Sequence, residues 1–183
     1  MTYEIDIAGL KRELPLCAVS DSLSIAAFVI FGDVEMTKHA AKELLKRVPE
    51  FDYIIAPEAK AIPLAYEMAA QIHAEKYFIA RKKAKVYLTN PLIVNVKSIT
   101  SDYDQTLILS GEDAAMIKGK KMLLLDDVIS TGESIRALEE LVIKAGGIVA
   151  GRAAVLAEGD AYYRKDITVL GQLPLFNADG TVK

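Results

Sequence analysis

The sequence predicts an α/β fold, a mostly parallel central sheet flanked by helices. Three observations carry that expectation. Short apolar runs recur along the chain, segments with apolar residues at helical spacing alternate with them, and 183 residues, 52% hydrophobic, suffice for one sizeable core. A single domain over 1–183 follows from the length.

The alternation is clear from Asp33 onward. Asp33 is placed to cap a helix whose Val34, Ala41, Leu44, Leu45 and Val48 share a face, and Pro49 ends it. Tyr53 to Ala56, closed by Pro57, reads as a buried strand. Pro63 then suits a first helical turn, with Leu64, Met68, Ala69 and Ile72 continuing one face. Tyr77 to Ala80 reads as the next strand and runs straight into the basic segment Arg81-Lys82-Lys83-Ala84-Lys85. Leu92 to Lys97 and Thr106 to Leu109 flank the polar stretch Ser98 to Gln105, the pattern of a hairpin with a long mobile tip. Lys121 to Leu125 is a strand, and Ile135, Leu138, Leu141, Val142 and Ala145 define a helix that Gly146-Gly147 stops. Ile148 to Leu156 and Ile167 to Leu170 supply the last strands.

Charge and composition narrow the partners. Lysine plus arginine number 22 and aspartate plus glutamate 25, a net charge of −3, so no general basic surface for nucleic acid is expected and any anion site must be local. The single cysteine, Cys17, allows neither an internal disulfide nor a cysteine-rich zinc site. The apolar stretch Leu23 to Phe31 falls short of the ~20 residues that span a bilayer, and the acids and bases before it do not resemble a signal peptide. A cytoplasmic protein without membrane partners is the expectation. His39 and His73 have no nearby acid or second histidine and are assigned no chemistry.

The segment Asp126 to Ser134 lies where a parallel sheet binds ligands, between a strand's carboxyl end and a helix start. Amides there lack helical partners, Ser130, Thr131 and Ser134 add hydroxyls, and Gly132 lets backbone approach an anion, which together suit a phosphate. Asp126 and Asp127 would repel that phosphate unless they contact something else: sugar hydroxyls, a divalent cation or a developing positive charge. Taken alone, the segment also fits a capped helix after a Ser-Thr-Gly turn. No Walker A loop occurs.

Leu123 to Ser134, LLLDDVISTGES, resembles the signature of the type I phosphoribosyltransferases. Two more segments match in order and spacing. Ala56 to Ala61 resembles that family's pyrophosphate loop, and Arg81 to Lys85 resembles the Arg-Lys-x-x-Lys segment of the adenine enzymes. The resemblance implies a type I phosphoribosyltransferase-like fold with a small hood from about 1–32 and 171–183, in which 12–19 form part of the hood. By position it implies that Asp126 and Asp127 hold the ribose of phosphoribosyl pyrophosphate (PRPP) and act in catalysis. Asp126, Asp127, Val128, Ile129, Ser130, Thr131, Gly132, Glu133 and Ser134 together form its ribose and phosphate site. Glu58, Ala59, Lys60, Arg81, Lys82 and Lys85 are implied for pyrophosphate, and Glu58-Ala59 matches a bond that is often cis in the family. The family's catalytic loop falls on Ser98, Thr100, Asp102 and Tyr103, and Phe176 is a hood residue able to stack on a base.

Three departures stand out. Glu133 replaces a frequent second glycine, Lys60 and Ala61 replace arginine and glycine, and the loop lacks the glutamate of the adenine enzymes' Tyr-x-x-Glu-Tyr-Gly pattern. The implied activity is transfer of 5-phosphoribosyl from PRPP to a purine, adenine first, with substrate-bound Mg2+ and no protein metal ligand assigned, in a homodimer. The alternatives are a hypoxanthine, guanine or xanthine enzyme and a non-catalytic PRPP-sensing regulator. About 30 residues before the first helix are too few for the DNA-binding domain that a purine-repressor-like regulator carries.

Overall fold

The computed structural model describes residues 1–96 and 105–183; the catalytic-loop expectation on Ser98, Thr100, Asp102 and Tyr103 lies outside them. Its centre is a five-stranded sheet built from β4 (Tyr53–Pro57), β5 (Phe78–Ala80), β8 (Lys121–Ile129), β9 (Ile148–Glu158) and β10 (Thr168–Leu173). Their spatial order is β10-β9-β8-β4-β5, and every neighbouring pair is parallel. The expected parallel sheet is therefore present.

Near-continuous apolar strands arise because both faces are covered. Along β8, Leu123 and Leu125 enter one buried cluster with helices α1 (Val34–Leu45) and α2 (Ile62–Gln71), while Met122 and Leu124 enter the other with α4 (Glu133–Lys144). Strand alternation thus serves two cores at once.

Helix α1 buries Met36, Ala40, Ala41 and Leu44. Val34, expected on that face, is 65% exposed, because the buried face runs through Met36, Thr37, Ala40, Ala41 and Leu44 and Val34 lies at its edge. Asp33 caps the helix by accepting from the Met36 amide at 2.9 Å. Pro63 stands in the first turn of α2, where a missing N–H costs nothing. Ile72 caps the end of α2 and is exposed instead of extending its buried face.

The hood is a second, antiparallel sheet in the order β1-β2-β3-β11, formed by β1 (Thr2–Ile7), β2 (Leu10–Ser20), β3 (Leu23–Ala26) and β11 (Leu175–Phe176). Ala8 and Gly9 turn the first hairpin with φ of 53° and 94°, the left-handed pair that a tight two-residue turn requires. Arg12 reaches from β2 to fork onto both oxygens of Asp33 at 2.7 and 3.0 Å, tying the hood to α1. That pairing holds the Asp33 carboxyl below its usual range. His39 Nε2 lies 3.0 Å from the Ala8 carbonyl oxygen, so it carries the hydrogen and donates across the same junction.

Two expectations change here. Residues 171–173 belong to β10 of the central sheet, so the C-terminal part of the hood begins after Leu173. Phe176 is 1% exposed and meets Tyr3 edge-on, with ring centroids 5.0 Å apart. Both faces of its ring are occupied by core, and none is left for stacking on a base. Replacing Phe176 with alanine is expected to lower unfolding free energy by about 3–5 kcal/mol in a urea titration. An unchanged midpoint would remove the ring from the hood core.

The hairpin is present as the ribbon β6 (Leu92–Val96) and β7 (Gln105–Leu109), paired antiparallel from Leu92↔Leu109 to Val96↔Gln105. Arg81 bridges Ile108 and joins the ribbon to the end of β5. A short helix α3 (Gly111–Ile117), capped by Ser110, precedes β8, and a 3-10 turn, Gly159–Tyr163, follows β9.

Candidate active site

A cavity of about 350 Å³ opens at the carboxyl ends of β4, β8 and β9, beneath the hood. Parallel strands all present this edge to the same side, which is why ligand groups collect there. Three walls converge on it: Ser130 and Ser134 beyond β8, Glu58 to Lys60 with Lys82 beyond β4 and β5, and Ile25 to Val29 of the hood.

Strand β8 continues through Ile129, so Asp126 and Asp127 stand in the strand itself and not in the turn after it. They are 7% and 6% exposed. Asp126 accepts from the Asp127 amide at 2.9 Å. Asp127 Oδ2 is buried and accepts no hydrogen bond; Lys60 Nζ approaches it only to 3.8 Å. Burial, followed by the charge of Asp127, pushes the Asp126 carboxyl well above the usual range, with Lys82 opposing. Two desolvated carboxylates side by side are costly unless a ligand supplies hydrogen-bond donors.

Beyond Ile129 the chain turns through Ser130 to Gly132 into α4. Gly132 has φ 81°, and its carbonyl accepts from the Arg136 amide at 2.9 Å. A hollow of about 40 Å³ inside this turn is lined by Asp126 and by every residue from Val128 to Ile135. It has the scale of a single small anion and faces the start of a three-turn helix. Arg164 lies against the outer side of Gly132, where a Cβ would overlap its guanidinium. That arginine is fixed by a fork to Asp166 at 3.0 and 2.7 Å.

On the opposite wall the Glu58-Ala59 peptide is cis. The Glu58 amide donates to the Ala80 carbonyl at 2.8 Å, which fastens the loop to the end of β5. The Glu58 carboxylate accepts from the Lys82 amide at 3.2 Å and lies 3.6 Å from Arg81. Of the six residues expected at pyrophosphate, Glu58, Ala59, Lys60 and Lys82 line the cavity. Arg81 is turned to Glu58 and to the Tyr87 ring, 5.6 Å away, and Lys85 is exposed outside the lining.

Residues 35–176 match the model of the phosphoribosyl transferase domain. The chain belongs to that family. Among curated members, adenine phosphoribosyltransferase of Thermosipho africanus is 34% identical over 123 residues, 66% of this chain and 68% of the relative. The enzyme of the same name from Petrotoga mobilis is 33% identical over 138 residues, covering 67% and 73%. The solved adenine phosphoribosyltransferase of Thermoanaerobacter pseudethanolicus superposes with a TM-score of 0.66 at 22% identity, covering 94% of this chain and 96% of that one. At such identity the likeness shows the shared type I fold, in which the hood sheet is included.

Within this phosphoribosyltransferase, sequence reasoning missed three contributors to the site. The 12–19 stretch lies in β2 of the hood sheet as expected, but the hood residues that line the cavity, Ile25 to Val29, were not singled out within the expected 1–32 hood. Leu173 and Glu158, at the ends of β10 and β9, also line the cavity. Their signal was weak: each ends an apolar run, and only the register of neighbouring strands brings them to the edge.

Proposed function

We propose that this protein transfers the 5-phosphoribosyl group of PRPP to a ring nitrogen of a purine, adenine first, and releases pyrophosphate. The observation that carries the reading is the buried Asp127 Oδ2, which accepts no hydrogen bond, in the same cavity as Ser130 and Ser134 of the small anion hollow. A ligand with a phosphate at one end and sugar hydroxyls further along the same ring, such as a ribose 5-phosphate, satisfies both features. A phosphate alone satisfies one and is repelled by the other.

The turn holds the 5-phosphate through amides and hydroxyls, and Asp126 and Asp127 accept from the ribose hydroxyls. As the bond from C1 to the pyrophosphate oxygen breaks with its electron pair leaving on pyrophosphate, positive charge grows on the ribose; the C1–N bond forms and the nitrogen's proton passes to the departing pyrophosphate or to solvent. Asp127 is the carboxylate assigned to that growing charge, and Lys60 and Lys82 neutralise the leaving pyrophosphate. The apolar hood wall and Leu173 exclude water and orient the flat base.

Magnesium enters as the salt of PRPP. Among the described residues no group of three or more histidine, cysteine, aspartate or glutamate side chains is placed to hold a metal; Asp126 and Asp127, the paired acids of the cavity, would be the groups to meet an ion that keeps most of its water. No described helix is long and apolar enough to cross a membrane, and we assign the protein to the cytoplasm as a homodimer in purine salvage.

The test is direct. The purified protein with magnesium and PRPP is given adenine, hypoxanthine, guanine or xanthine separately, and pyrophosphate release is followed. Fastest release with adenine is expected. Binding of PRPP with release for none of the four would replace the enzyme by a sensor of the metabolite.

A further inference from the structure

Four carboxylates line the cavity, and three have an assigned partner. Glu58 is held by Arg81 and by the Lys82 amide, and Asp126 and Asp127 face the ribose position. Glu158 is different. It is half-buried at the last residue of β9, and its side chain makes no hydrogen bond or ion pair with any described residue. The register sets it opposite Leu173 of β10 and one residue beyond Ala157, the partner of Ile129. It therefore stands where the phosphate-bearing strand meets the apolar hood wall, at the part of the cavity left for the base. Burial raises its carboxyl, with only the charge of Lys60 opposing, so little around it replaces lost water.

A carboxylate in that position accepts hydrogen bonds and offers none. A base that turns an N–H toward it gains a charge-assisted bond, whereas a carbonyl oxygen in the same place meets like charge. Adenine carries an amino group at position 6, and hypoxanthine carries an oxygen there. We infer that Glu158 is a specificity-determining residue that accepts from the 6-amino group of the purine and disfavours 6-oxopurines. The inference rests on the purine reading above and deepens it.

The experiment compares wild type with Glu158→Gln, which keeps size and removes charge. The measured quantities are kcat/KM for adenine and for hypoxanthine at saturating PRPP, together with AMP and IMP affinities by calorimetry. Expected is a fall of about ten- to a hundredfold for adenine with hypoxanthine changed less than about threefold, so that the ratio collapses, while KM for PRPP stays near wild type. The AMP preference over IMP should shrink by a similar factor. Equal losses for both bases, or no change in either, would overturn the assignment, because a purely structural role moves both together. If wild type turns over neither base, the reading of the reaction fails separately, and the AMP-to-IMP ratio in the two proteins still decides the role of Glu158.

Discussion

Asp126→Asn combined with Asp127→Asn is expected to reduce pyrophosphate release by about a thousandfold or more while raising the melting temperature of the ligand-free protein. The two effects have one cause. Two adjacent carboxyl groups, each less than a tenth exposed, stand side by side with Asp127 Oδ2 lacking a hydrogen-bond donor, and the same shortage makes the pair receptive to ribose hydroxyls. Asparagine removes the charge, and with it both the cost and the grip.

The pH dependence fixes the sign. The folded-state value of Asp126 is raised above that of an unfolded aspartate, near 3.9, so the native protein retains a proton that the unfolded chain has lost. Stability contributed by this group is present below about pH 4 and falls as pH rises toward the raised folded value. Calorimetry should therefore show the double variant close to wild type near pH 4 and progressively more stable than it toward pH 8. Near-normal turnover would remove the ribose assignment, and a lower melting temperature at every pH would show that the acids are not frustrated in the empty site.

Legibility in the sequence followed period and burial. The central strands could be read because both faces are covered, so Ile54-Ile55-Ala56 and Leu123-Leu124-Leu125 stand out as unbroken apolar runs. The hood was harder, although its signal existed. Ile5 and Ile7 alternate with Glu4 and Asp6, and Leu14 is buried between exposed neighbours, a period of two that only one covered face produces. Its charged half, Glu4, Asp6, Lys11 and Glu13, dilutes the apolar signal over any short window. Helix α3 was hidden for another reason: seven residues with Ile117 alone buried carry no helical period.

The site divides in the same way. The turn from Asp126 to Ser134 is contiguous, so its residues reach one hollow by local geometry, and the sequence names them together. Glu158 and Leu173 are brought to the cavity by the β8-β9-β10 register, over separations that no local pattern encodes. Phe176 was misassigned because an aromatic residue near a chain end looks available for stacking, while pairing of β11 with β3 carries it into the core.

The second large effect is expected at Gly132. Its φ of 81° lies in the left-handed region, where a side chain costs about 1–2 kcal/mol, or roughly five- to thirtyfold in the population of the turn. Gly132→Ala should weaken ribose 5-phosphate binding by at least that factor in a calorimetric titration, because the amides that face the phosphate share this turn. A further penalty comes from outside. The new Cβ would overlap Nη1 of the Arg164 guanidinium, whose other nitrogens fork to Asp166, so the arginine must shift against that fork. Adding Arg164→Ala to Gly132→Ala should therefore restore part of the lost affinity, leaving the backbone share in place. Full restoration would assign the whole effect to the collision. Unchanged affinity in Gly132→Ala itself would mean that the phosphate is held somewhere other than this turn, and the ribose assignment of the adjoining acids would lose its anchor.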